Sequence, residues 1–206
     1  MPRIRGTSIE EHHELVWAEL AEAVQQLLLE HDYDSINMGQ IAARAGLARN
    51  TLYNYSRDKS ALVLALTQRA CQPLVERVAA IAARSSDDAA ERLRQLIDAV
   101  LEAFTDRTLQ LVFRQTSGPV AEVPKGPDSP FSAIVVEVEN VVRDGIARGE
   151  FRDVEDVDLA VELLSGVMRA GAERIGRDST TFTATVRAAQ EIILTSLTRR
   201  TDQELG

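Results

Sequence analysis

Ten of the eleven residues from 49 to 59 carry hydrogen-bonding side chains, among them Arg49, Asn50, Thr51, Tyr53, Asn54 and Tyr55, followed by Lys59. An arginine can pair bidentately with guanine and an asparagine with adenine, and a threonine methyl can touch thymine. Hydroxyls and lysine suit phosphate oxygens instead. All three tyrosines lie between residues 33 and 55 and none occurs in the 151 residues that follow, a distribution that packing alone does not explain. Residues of these types in this density fit the reading of double-stranded DNA.

Such side chains need a scaffold that turns them outward. Asn37 and, three residues on, Gln40 have the form of a capping box, so a short helix is predicted from Met38. Ile41, Ala42 and Ala45 share one face of it, and Gly46 suits the left-handed conformation common just past a helix end. Leu47 and Leu52 are the next apolar residues. A second helix over about Ala48 to Tyr55 can bury Leu52 and leave the polar residues exposed. Together the pair reads as a helix-turn-helix. Ala48 brings no capping side chain to its start, a loss of roughly 1 kcal/mol.

Ala-Gly-Leu at 45–47, Thr51-Leu52-Tyr53, Tyr55, Asp58-Lys59 and Leu62 together resemble the DNA-binding domain of the TetR/AcrR family, without a gap over about 25 residues. The resemblance implies that Asn37, Tyr53, Tyr55 and Lys59 hold phosphates while Arg49, Asn50, Thr51 and Asn54 sit nearest base edges. Three positions depart from the family pattern: Ser56 replaces an apolar anchor, Ala48 a Ser/Thr cap and Asp32 a turn glycine. The first two imply a less rigid recognition helix in the free protein.

The net charge of −9 opposes DNA binding until it is divided along the chain. Residues 36–60 hold Arg44, Arg49, Arg57 and Lys59 against Asp58 alone, a net +3, whereas residues 61–206 are net −6. A local basic patch can still release counterions from phosphate, and Arg44 joins the candidate contacts on that ground. Arg3 and Arg5 form a short basic arm that could reach a minor groove or simply solubilise the terminus. No apolar run approaches a membrane span and no signal peptide is apparent, so a cytoplasmic protein is expected. The single cysteine, Cys71, allows no intramolecular disulfide and is expected to be buried structure.

Elsewhere the periodicity is helical throughout. A first helix is predicted over 9–31, and a longer one after Asp58 carries Leu62, Leu66 and Ala70 until Pro73 kinks or breaks it. Ser85-Ser86-Asp87-Asp88 opens another helix, with Leu93, Leu96, Ile97, Val100, Leu101 and Phe104 on its apolar face. A short helix is expected over 107–116, then a Gly/Pro-rich connection over 118–130, then a helix from Pro130 to about Arg148 closed by Gly149. The last two helices, about 155–175 and 179–200, are the dimer candidates. Phe182, Val186, Ala189, Ile193 and Leu197 form one stripe, widened by Ile192 and Leu194, and Gly166, Ala170 and Gly171 permit close helix approach.

The expected protein is therefore all-α. It has a three-helix DNA-binding domain at 1–60 and a larger helical ligand-binding and dimerisation domain at 61–206, about nine helices in all. The resemblance implies a homodimer through the last two helices that reads a palindromic operator, a repressor released by a small effector. The aliphatic lining of helices between 62 and 175, with Phe104, Phe113 and Phe131 as its aromatics, favours an apolar or amphipathic effector. Gln110, Arg114, Gln115, Asn140 and Arg169 are its candidate polar contacts. No cofactor is expected, nor an enzyme, since no His-Glu-x-x-His, phosphate loop or nucleophile elbow occurs. A constitutive or protein-controlled regulator, or a small all-α enzyme, is the alternative.

Overall fold

The computed structural model describes residues 8–106, 109–110 and 130–198. The expected arm at Arg3 and Arg5, most of the 107–116 helix, the Gly/Pro-rich connection and the last residues of the final helix lie outside them. Among the described residues the chain is all-α, with eight α-helices and two short 3₁₀ turns. They fall into two compact units, residues 8–70 and residues 71–110 with 130–198. No described helix is long and apolar enough to cross a membrane.

In the first unit, α1 (Ile9–Glu30) starts where the Ser8 hydroxyl accepts the Glu11 N–H. Its buried side chains Val16, Leu20, Ala23, Val24 and Leu27 recur at three- and four-residue spacing. They pack with Ile36, Met38, Ile41, Ala42, Leu52, Leu62, Val63 and Leu66 into one core. Next come α2 (Met38–Arg44) and α3 (Arg49–Tyr53), followed by α4 (Lys59–Ala82). Asp58 caps α4 by accepting the Ala61 N–H at 2.7 Å. The break expected at Pro73 is absent, because α4 runs through it without interruption. The proline is exposed, while Cys71, Leu74 and Val78 are buried around it, so packing on the other face outweighs one lost hydrogen bond.

The second unit is built around α5 (Ala89–Ala103), which packs against α6 (Pro130–Ala147), α7 (Val157–Arg177) and α8 (Phe182–Leu197). Leu93, Leu96, Leu101, Val141, Phe151, Ile175 and Leu197 are among its most deeply buried side chains. Gly149 at φ 73 ends the turn after α6, as expected. Phe151 then folds back onto Gly145, where a Cβ would lie 2.4 Å from the ring. Arg92 is 3% exposed, bound to Asp144 and donating to the Ala82 carbonyl at 3.0 Å.

The apolar stripe of the last helix needs correction as a dimer face. Ala189, Ile193 and Leu197 are buried within the unit, with Phe182 and Val186 half-buried. Gly171 likewise serves internal packing, against Leu101 and Thr185. The residues left outward are Leu159, Leu163, Gly166 and Ala170 on α7, one helical stripe, and Ala184, Ala188 and Ile192 on α8. A periodicity too wide for one face had merged the inward and outward sets.

Candidate nucleic-acid interface

The helix-turn-helix is assembled from local rules. The Asn37 side chain accepts the N–H groups of Gly39 and Gln40, and the Gln40 side chain accepts the Asn37 N–H at 2.8 Å, which completes the capping box. Gly46, at φ 65, makes the turn, and the Leu47 N–H closes it by donating to the Ala42 carbonyl. α3 is shorter than its expected 48–55 span. Asn54 and Tyr55 donate to the carbonyls of Thr51 and Leu52, three residues back, so the end of the helix tightens into 3₁₀ geometry. No side chain caps it at Ala48.

Only Leu52 of α3 is buried, at 0% exposure, and it anchors the helix in the core. Arg49, Asn50, Tyr53 and Asn54 are exposed and Thr51 is half-buried, so the four candidate base-reading residues and the phosphate candidate Tyr53 surround one apolar anchor. The Arg49 guanidinium lies 5.8 Å above the Tyr53 ring, one turn on. Ser56, where an apolar anchor was wanting, is itself buried and donates its hydroxyl to the Asp58 carbonyl at 3.0 Å. That bond fastens the link between α3 and the cap of α4.

The phosphate candidates are held more firmly than their sequence suggests. Lys59 Nζ donates to the Tyr33 carbonyl at 2.6 Å and lies 4.0 Å from the centre of the Tyr33 ring. One of its three donors is therefore committed. Tyr55 is half-buried, edge-on to Trp17 at 5.5 Å, and this burial raises the pKa of its hydroxyl. The ring also meets His13, one turn before Trp17 on α1, at 5.1 Å. Trp17 in turn carries the Arg69 guanidinium at 5.2 Å, and Arg69 pairs with Glu14.

Arg44 is placed differently from the rest. Its two terminal nitrogens donate to the two carboxylate oxygens of Glu30, at 3.0 and 2.7 Å, and one also reaches Gln26 at 3.3 Å. The hydrogen bond from Arg44 holds the Glu30 carboxyl below its ordinary range. Arg57 is paired with Asp58 at 3.2 Å. The +3 counted over residues 36–60 thus omits an acid, Glu30, that lies outside that window yet faces it.

Of the candidate effector contacts, the structure gathers three. Phe104 is buried and stacks on Phe131, ring centres 6.3 Å apart, and Gln110 donates to the Phe104 carbonyl at 2.6 Å. Asn140 and Arg169 are exposed on α6 and α7, and Asn140 donates to Glu137 at 3.3 Å. Phe113, Arg114 and Gln115 lie outside the described residues. Cys71 is buried, and burial pushes its thiol up to about 12, which keeps it protonated and unreactive.

Residues 20–66 match the family model described as bacterial regulatory proteins, tetR family. No curated protein sequence matches the chain. Among solved structures, a transcriptional regulator from Pseudomonas aeruginosa PAO1 superposes with a TM-score of 0.73 at 21% identity, over 94% of this chain and 91% of that one. The regulator FadR from Bacillus subtilis, in complex with stearoyl-CoA, gives 0.69 at 18% identity over 87% and 98%. SmeT, a repressor of a Stenotrophomonas maltophilia multidrug efflux pump, in its triclosan complex gives 0.71 at 15% identity over 90% and 92%.

Proposed function

We propose that this chain, whose residues 20–66 match the tetR family model, is a TetR-family regulator: a dimeric repressor of a palindromic operator, released by a small apolar or amphipathic ligand. The observation that carries this reading is α3 itself: Arg49, Asn50, Tyr53 and Asn54 stand exposed around a single buried leucine. A helix presented in this way can enter a major groove, where Arg49, Asn50, Thr51 and Asn54 meet base edges. Asn37, Tyr53, Tyr55 and the remaining donors of Lys59 then meet the flanking phosphates. The division into a reading domain at 1–60 and a ligand and dimerisation domain at 61–206 belongs to the same proposal, as does a cytoplasmic location beside the DNA.

Dimerisation is assigned to the outward stripes, Leu159, Leu163, Gly166 and Ala170 on α7 with Ala184, Ala188 and Ile192 on α8. Large aliphatics beside small residues suit helix-on-helix contact, and a two-fold pair would present two reading heads to successive grooves. For the effector, the apolar Phe104 and Phe131 pair with Gln110 nearby offers an aliphatic and aromatic lining with little charge. The solved relatives with stearoyl-CoA and triclosan hold ligands that are likewise amphipathic or apolar. Ligand would favour a head spacing that mismatches the operator, and DNA the other.

Selection of bound fragments from a random DNA library near physiological salt tests this directly. A two-fold-symmetric site is expected, lost in an Arg49→Ala/Tyr53→Ala variant. Recovery without sequence preference would remove the regulator reading. A symmetric site whose affinity no fatty-acyl or apolar compound alters would leave a constitutive or protein-controlled regulator.

A further inference from the structure

We propose that Arg44 is a positioning residue: it braces the first helix of the reading head against α1 and does not contact DNA. The inference rests on the DNA-reading proposal above. α2 has seven residues, too few to be stable alone, so its orientation depends on the packing of Met38, Ile41 and Ala42 and on what holds its ends. Its N-terminus is fixed by the Asn37–Gln40 box. At its C-terminus the one side chain able to grip a neighbour is Arg44.

The grip is geometrically complete. Both terminal nitrogens of Arg44 face both carboxylate oxygens of Glu30, the last residue of α1, in the fork arrangement that gives arginine–carboxylate pairs their directionality. Gln26, one turn earlier on α1, accepts from the same Arg44 nitrogen at 3.3 Å and is itself anchored by donating to Glu22 at 3.0 Å. A run of hydrogen bonds from Glu22 through Gln26 to Arg44 and Glu30 therefore ties the end of α2 to the last two turns of α1. An isolated exposed ion pair stabilises little, but bidentate geometry within a network is the case in which such pairs count. Because Gly46 follows Arg44 by two residues, an error in the direction of α2 passes through the turn into α3.

The two roles for Arg44 differ in sign when Glu30 is altered. If Arg44 were a phosphate contact restrained by Glu30, Glu30→Gln would free it and remove a repelling carboxylate, so operator binding would tighten. If Arg44 is a brace, Glu30→Gln loosens α2 and binding weakens.

The test is operator affinity at several salt concentrations, on a site selected with the wild-type full chain, for Arg44→Ala, Glu30→Gln and the exchanged pair Glu30→Arg/Arg44→Glu. Helix content and thermal midpoint are followed alongside. Failure of the wild type to select any site would refute the underlying reading and not this assignment. The brace predicts that Arg44→Ala and Glu30→Gln each weaken binding about three- to tenfold, with the slope of log affinity against log salt unchanged. It also predicts that the exchanged pair recovers to within about twofold. Tighter binding by Glu30→Gln, a slope shallower by about one per head in Arg44→Ala, or no effect of either single change would overturn it. Should the exchanged pair fold poorly, the sign of the Glu30→Gln effect and the Arg44→Ala slope decide alone.

Discussion

The two units of this chain are held by different kinds of interaction. In residues 8–70 the polar contacts that shape the helix-turn-helix are short-range: the capping box spans three residues, the Gly46 turn five, and the Ser56 bond two, while Arg44–Glu30 and Lys59–Tyr33 reach further. In the second unit they are long-range. Arg92 meets Asp144, Glu150 accepts the Ala89 N–H, Gln190 donates to Asp98 at 2.8 Å, and Arg152 donates through its backbone to the Leu197 carbonyl. Local rules shape the small helix pair, and a few longer ties seat it on its neighbours. A four-helix packing whose neighbours are distant in the chain needs ties that no sequence window contains.

The contrast can be broken first at its strongest tie. Arg92→Ala takes from Asp144 its buried partner, leaving it Arg148 at 3.5 Å, and opens a cavity, and should destabilise the second unit by about 2–3 kcal/mol in denaturant unfolding. The Arg92 guanidinium holds the Asp144 carboxyl below its ordinary range. The ion-pair part of this stabilisation is therefore complete above the ordinary carboxylate pKa and is lost as pH falls through the lowered value, where the gap between mutant and wild type should narrow to what the cavity and the Ala82 hydrogen bond contribute. Gly145→Ala forces a Cβ against the Phe151 ring and Ala89, with a cost of about 2 kcal/mol read the same way. In the first unit a local rule is unfilled. Ala48→Ser supplies the missing cap of α3 and should stabilise that unit by about 1 kcal/mol, seen as slower amide exchange over Arg49–Tyr53. Smallest in its effect on folding is Leu159→Glu/Leu163→Glu. Both residues are exposed, so stability should change by only about 0.5 kcal/mol while sedimentation shifts from dimer to monomer.

The same contrast explains what could be read without a structure. Asn37, Gln40, Gly46 and Leu52 announce the helix-turn-helix because each acts on its own neighbours. The exposed set on α3 follows from them. The partners of Arg44 and Lys59 were not legible, since Glu30 and Tyr33 lie 14 and 26 residues away and any exposed acid or turn residue could have served. The packing of Tyr55 against His13 and Trp17 was hidden for the same reason. On α8 the sequence shows a stripe wider than one face, and only packing divides it into Ala189, Ile193 and Leu197 inward and Ile192 outward.

The central claim, that α3 reads base edges, is tested most directly by repeating the random-library selection with Arg49→Ala alone. The reading helix predicts a site of unchanged symmetry and spacing whose preference relaxes at one base pair in each half, at a cost of about 1–3 kcal/mol per contact. An identical site recovered at wild-type strength would mean that Arg49 meets no base and that sequence is read by another part of the molecule.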